Sequence, residues 1–148
     1  MIQRIQTVYL LIATGLLITA LCLPLGYFMD ASGAQHVFKA LGSQLADGHH
    51  STWGLFVILL LSAIVDVVAI LAFAVRVLQI RLTIFCGLLL VGFYIAFVAF
   101  YFMLKPDATT FRVGWALCLP LVAIILNLLA LRAIARDELM VRAADRIR

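Results

Sequence analysis

Apolar side chains run almost unbroken through four stretches of the chain, at 8–28, 53–75, 82–104 and 114–134. Polar residues gather between them, in a long segment at 29–52 and in shorter ones at 76–81 and 105–113. A helix that crosses a bilayer needs about 20 mostly apolar residues. Backbone amides in hydrocarbon must bond within their own segment, so each stretch is predicted to be a helix. The fold expected is an all-α membrane protein. It is an antiparallel four-helix transmembrane bundle, one domain over 1–148, with one longer outer loop between spans one and two.

The connections sharpen this layout. Residues 76–81 are read as a tight turn, which makes spans two and three a hairpin. Pro106 is expected to stop the third helix, and Pro24 and Pro120 to kink the first and fourth. Gly33, Gly42 and Gly48 punctuate the long loop, where 35–41 suits a short strand or an interfacial turn. The tail at 135–148 should continue the fourth helix. Glu138 and Arg142 stand there at i,i+4, a stabilising pair. Gly92, Ala96 and Ala99 on the third span, and Ala123, Asn127 and Ala130 on the fourth, form small-residue stripes that let backbones approach closely.

Composition excludes a soluble fold. The chain is 66% hydrophobic and 12% charged, with a mean hydropathy of +1.19, against roughly half apolar and a quarter charged in soluble domains. The net charge of +4 does not point to nucleic acid, because five of the eleven basic residues lie in 132–148 with three acids among them. That is a helix end meeting an anionic membrane face, where each basic residue contributes about 1 kcal/mol. The first apolar run exceeds the roughly 7–15 residues of a signal-peptide core, so it is read as an uncleaved helix. Arg4, Arg76, Arg81 and the five basic residues from Arg132 onward share one side of the layout; Lys39, Lys105 and Arg112 share the other. Eight against three places both termini in the cytoplasm. Tyr27, Trp53, Tyr101 and Trp115 fall at the outer boundary and Tyr9 near the inner one, where amphipathic rings settle.

Asp66 carries the main candidate chemistry. It lies mid-span, where a carboxylate costs about 2.5–3.5 kcal/mol on insertion scales, so it should face the bundle interior. Ser62, Asp66 and Ala69 share a helical stripe. Asn127, Tyr94 and Thr14 lie at comparable depths on the other three spans, and together these residues are expected to form a buried polar cluster. Two roles fit it: a hydrogen-bond clamp between helices, or a proton relay in a transporter. Arg4, Arg76, Arg81, Arg136 and Arg142 are expected to contact the cytoplasmic membrane surface or a partner. Cys22, Cys86 and Cys118 show no metal-ligand spacing and are read as small packing residues, with Cys22 and Cys118 near one membrane level. His36, His49 and His50 are read as solvated loop residues, the last two beside Asp47. No metal, cofactor or catalytic motif is expected.

The opening Met1-Ile2-Gln3-Arg4-Ile5-Gln6-Thr7-Val8-Tyr9-Leu10-Leu11 resembles the start of a bacterial family defined only as a domain of unknown function, DUF family 4293. The resemblance extends to the layout of the whole chain. It implies an inner-membrane protein of a Gram-negative bacterium, and no activity, cofactor or catalytic residue. The role expected is a non-enzymatic accessory or scaffold subunit in the lipid bilayer that binds another membrane protein or a second copy of itself. The alternative is a small homodimeric proton-coupled transporter using Asp66. It has the size of the minimal four-helix multidrug exporters, but their acid lies in the first span and their loops are short.

Overall fold

A computed structural model describes the backbone of residues 2–45, 48–104 and 110–147, and their side chains other than those of 2–4, 44 and 45. Lys105, Pro106, Asp107, Asp47 and Arg148 lie outside the described residues, and with them the expected helix stop at Pro106. Four helices dominate: α1 (Ile2–Cys22), α2 (Trp53–Leu71), α3 (Arg76–Leu104) and α4 (Cys118–Arg146). All four are long and apolar enough to cross a membrane. They pack in a ring in which each helix lies against its two neighbours in sequence, and α4 closes on α1. α1 and α3 end, and α2 and α4 begin, beside the same small sheet, so successive helices alternate in direction.

The sheet corrects the all-α expectation. Strands β1 (Gly26–Met29), β2 (Gln35–Phe38), β3 (Gly42–Leu45), β4 (Gly48–Ser51) and β5 (Thr110–Val113) form one antiparallel sheet in the order β4-β3-β2-β1-β5. Hydrophobicity alone extends span one to residue 28, but Pro24 has no N–H and disfavours helix at the residue before it. α1 therefore stops at Cys22, and the apolar residues that follow switch to period two. Gly26 and Phe28 face inward, while Tyr27 and Met29 are half-buried. Phe28 stands opposite His36 on β2 and Phe111 on β5. The β1–β2 hairpin turns through Gly33 at φ 82°, a left-handed conformation that favours glycine. At the other flank the Gly114 amide donates to Leu25 O at 2.9 Å. A Cβ at position 114 would come within 2.8 Å of that same oxygen, so the close approach requires glycine.

Other boundaries move as well. A 3-10 turn at Ala72–Ala74 joins α2 to α3. Residues 76–81, expected as the turn itself, instead form the first turns of α3, because they contain no Gly or Pro to break a helix. Pro24 lies beyond α1 and kinks nothing. Pro120 occupies the first turn of α4, where an N–H would lack a helical partner anyway. α4 runs unbroken through the tail to Arg146, and Arg142 donates to Glu138 at 3.0 Å.

The interior changes character along the bundle axis. At the sheet end it is aromatic. Phe38 meets Phe28 and Phe97 edge-on, with centroids 5.7 Å apart in both pairs. Phe111 lies 5.0 Å from Phe28 and 5.2 Å from Tyr101. The buried stripe of α3 reads Gln79, Thr83, Cys86, Leu90, Phe93, Phe97, so it turns from polar to aromatic toward the sheet. This stripe replaces the small-residue face expected on α3. Ala99 is exposed, Gly92 is only half-buried, and a Cβ on Gly92 would meet nothing within 4 Å. On α4 the expected Ala123, Asn127 and Ala130 are all buried. At the far end a smaller apolar cluster joins Leu10, Ala69 and Ala130, and Arg76 pairs with Asp137 at 3.5 Å.

Candidate functional site

Asp66 is fully buried, with a relative exposure of 0%, and Asn127 is at 2%. Both face the axis because each lies on its helix's buried stripe: Leu59, Ser62, Asp66 and Ala69 on α2, and Ala123, Asn127 and Ala130 on α4. The small side chains in both stripes leave room at the axis for longer polar ones. α2 and α4 are diagonal partners in the ring, so the Asp66–Asn127 contact crosses the middle of the bundle. Asn127 Nδ2 donates to Asp66 Oδ2 at 3.4 Å and is also 3.4 Å from Cys86 Sγ. The Cys86 thiol lies 3.5 Å from Ser62 O and within reach of the Asp66 carboxylate. Three helices are thus joined by one polar knot. The Asn127–Asp66 bond is long, since N–H···O bonds cluster near 2.9–3.0 Å, and the two sulfur contacts are weak because a thiol is a poor donor and acceptor.

The expected cluster is only partly assembled. Ser62 belongs through its carbonyl; its hydroxyl donates to Ile58 O on its own helix at 2.8 Å. Thr14 is buried on α1 but spends its hydroxyl on Leu10 O at 2.9 Å. Tyr94 is not in the cluster. Its hydroxyl donates to Leu117 O at 2.7 Å, which stitches α3 to the start of α4 near the sheet end. Tyr94 follows Phe93 on α3, about 100° around the helix from the buried stripe, and therefore points toward α4.

Cys86 is the member that sequence reasoning set aside. Buried thiols act mostly as small hydrophobes, and Cys86 does fill core space; here it also faces the amide and the acid. The signal that finds it is the alternation of three and four residues from Gln79 to Phe97, which marks the buried stripe of α3 more reliably than the small residues do. Two oxygens in the knot have no hydrogen-bond partner among the described residues: Asp66 Oδ1 and Asn127 Oδ1. A cleft of about 290 Å³ between α3 and α4 reaches the knot from the side, lined among others by Thr83, Gly87, Leu88 and Asn127.

The remaining candidates lie elsewhere. Arg76 pairs with Asp137 and Arg142 with Glu138, Arg81 and Arg136 are exposed, and the Arg4 side chain is outside the described residues. Cys22 and Cys118 are exposed free thiols. His36 lies on β2, and His49 and His50 on β4. Among the described residues no three His, Cys, Asp or Glu side chains converge as metal ligands. A family model described as "Domain of unknown function (DUF4293)" matches residues 2–147, nearly the whole chain. No curated protein matches it.

Proposed function

Because the chain belongs to the DUF4293 family, whose description defines no activity, we propose its role from its own geometry: a non-enzymatic accessory or scaffold subunit that binds another membrane component. Its place is the bacterial inner membrane with both termini in the cytoplasm, the orientation favoured by eight basic residues against three. The observation that carries this reading is the filled axis at the sheet end. Phe28, Phe38 and Phe93 are at most 1% exposed, with Phe97 and Phe111 packed beside them in tilted and edge-on contacts. The sheet lies beside them, so among the described residues aromatic side chains fill the axis where a transported solute would have to leave. Such a bundle suits the presentation of a rigid surface. The Asp66–Asn127–Cys86 knot then serves as a clamp that fixes how the helices meet.

Native mass spectrometry of the particle gently extracted from its own membrane tests this. The 16.3 kDa chain held in stoichiometric complex with a distinct membrane protein is the expected result. A homodimer alone, active in proton-linked flux, overturns it.

A second reading keeps Asp66 as a proton relay in a homodimeric transporter. It is favoured by Asp66 Oδ1 and Asn127 Oδ1, which have no hydrogen-bond partner among the described residues, since a catalytic role is one reason for buried polar atoms to be left unpaired. Under this reading Asp66→Asn keeps assembly intact and abolishes proton-linked flux in vesicles. Preserved flux rules the relay out.

A further inference from the structure

At the end of the bundle away from the sheet, α1 and α4 leave a groove of about 460 Å³ between them. Its walls are of two kinds. Ile5, Leu129 and Met140 present apolar surface, all three substantially exposed. Tyr9, Arg132 and Arg136 present donors at the same groove. The two arginines are one turn apart on α4, so they lie on one side of it. The acids nearby are engaged elsewhere, Asp137 with Arg76 and Glu138 with Arg142. Arg132 and Arg136 therefore have no ion-pair partner among the described residues.

Depth places these groups at a membrane boundary. At 1.5 Å per residue, Arg132 lies about 21 Å along α4 from Cys118, and Arg136 about 27 Å. Tyr9 is about 20 Å along α1 from Cys22, level with Arg132. A hydrocarbon core is roughly 30 Å thick, so the guanidinium groups reach the phosphate layer while Leu129, about 16 Å along α4 from Cys118, stays against acyl chain; Ile5 and Met140 flank the arginines at headgroup level. Guanidinium groups match phosphate oxygens in bidentate geometry. A free anion would use the arginines and leave the apolar wall bare, whereas a lipid uses both.

We propose that the α1–α4 groove binds one anionic phospholipid, its phosphate held by Arg132 and Arg136, its glycerol backbone beside Ile5 and one acyl chain descending past Leu129. The site does not depend on either reading of the Asp66 knot.

The test titrates the full-length protein in detergent with dioleoyl-phosphatidylglycerol, dioleoyl-phosphatidylcholine or glycerol phosphate, and counts bound molecules by native mass spectrometry. Expected is a saturable single phosphatidylglycerol, with phosphatidylcholine markedly weaker and glycerol phosphate weaker still. The double variant R132Q/R136Q should bind phosphatidylglycerol about thirty-fold more weakly, from about 1 kcal/mol for each cation near the surface. The charge-matched R81Q/R146Q, which removes two exposed arginines outside the groove, should lose less than about three-fold. Equal losses in the two double variants would reduce the effect to diffuse attraction and overturn the site. Equal binding of phosphatidylglycerol and phosphatidylcholine, measured on the unmodified protein, overturns it without any variant. Glycerol phosphate binding as tightly as the lipid would make it a phosphate site rather than a lipid site.

Discussion

The Asp66–Asn127 contact makes a quantitative prediction that a double-mutant cycle reads directly. Asp66→Leu removes the acceptor of the 3.4 Å bond and leaves Asn127 Nδ2 with only the thiol of Cys86. The bond is long, so its own contribution is taken at the membrane average of about 0.6 kcal/mol. The larger cost is the buried amide stranded on α4, about 1–3 kcal/mol. Asp66→Leu should therefore destabilise the bundle by about 2 kcal/mol. Asn127→Leu should cost a similar amount by the mirror argument, because it leaves the buried Asp66 carboxyl with only the Cys86 thiol beside it. The double variant strands nothing, and replacing both partners of a hydrogen bond with apolar groups is close to neutral. The two single costs should then exceed the double cost by at least about 1 kcal/mol, well above the roughly 0.3–0.5 kcal/mol scatter of additive pairs. Asp66→Asn keeps an acceptor facing Asn127 and should stay below about 0.6 kcal/mol. Reversible unfolding in mixed micelles, followed by loss of helix signal against denaturing detergent, supplies the four free energies. Strict additivity would refute the clamp and show that the two side chains do not act on each other.

Three other perturbations probe the parts that hold the site in place. Phe38→Ala removes a fully buried ring set edge-on to Phe28 and Phe97 and should cost about 3–5 kcal/mol; the same unfolding assay measures it, and a loss below about 1 kcal/mol would contradict the packed plug. Gly114→Ala drives a Cβ to 2.8 Å from Leu25 O and should loosen β5 from β1, read as faster proteolysis within 110–113 while the helices stay protected. Arg76→Gln breaks the 3.5 Å pair with Asp137, whose side chains are 26% and 16% exposed; solvent screening limits the loss to under about 1 kcal/mol, and it should vanish in high salt. A salt-independent loss would assign Arg76 a packing role instead.

How much of this was legible beforehand differs from residue to residue. Asp66 and Asn127 were readable as partners because a charged or amide side chain in a span has few places to go, and both lie on stripes of small residues. Tyr94 looked equally suitable by depth, yet depth says nothing about azimuth: one residue past the buried stripe, it faces α4 and bonds Leu117 O. Cys86 was passed over because a thiol reads as a hydrophobe until its neighbours are known.

The sequence by itself determined that four helices form and that they belong in a membrane, since hydrocarbon leaves a long apolar run no other way to satisfy its backbone. It also determined that Asp66 turns inward, because the cost of exposing a carboxylate to lipid decides the matter locally. Only the tertiary structure decided the sheet. Its strands are four residues each; β1 to β4 pair as neighbours within 26–51, where 35–41 already suits a strand, but the sheet is completed only when β5 at 110–113 joins β1 at 26–29. The β1–β5 pairing is a non-local event that no local hydrophobic period encodes. The same holds for the knot and for the α1–α4 groove. Each exists because the ring brings together faces of separate helices, and the rotation of each helix about its own axis is settled only when all four pack at once.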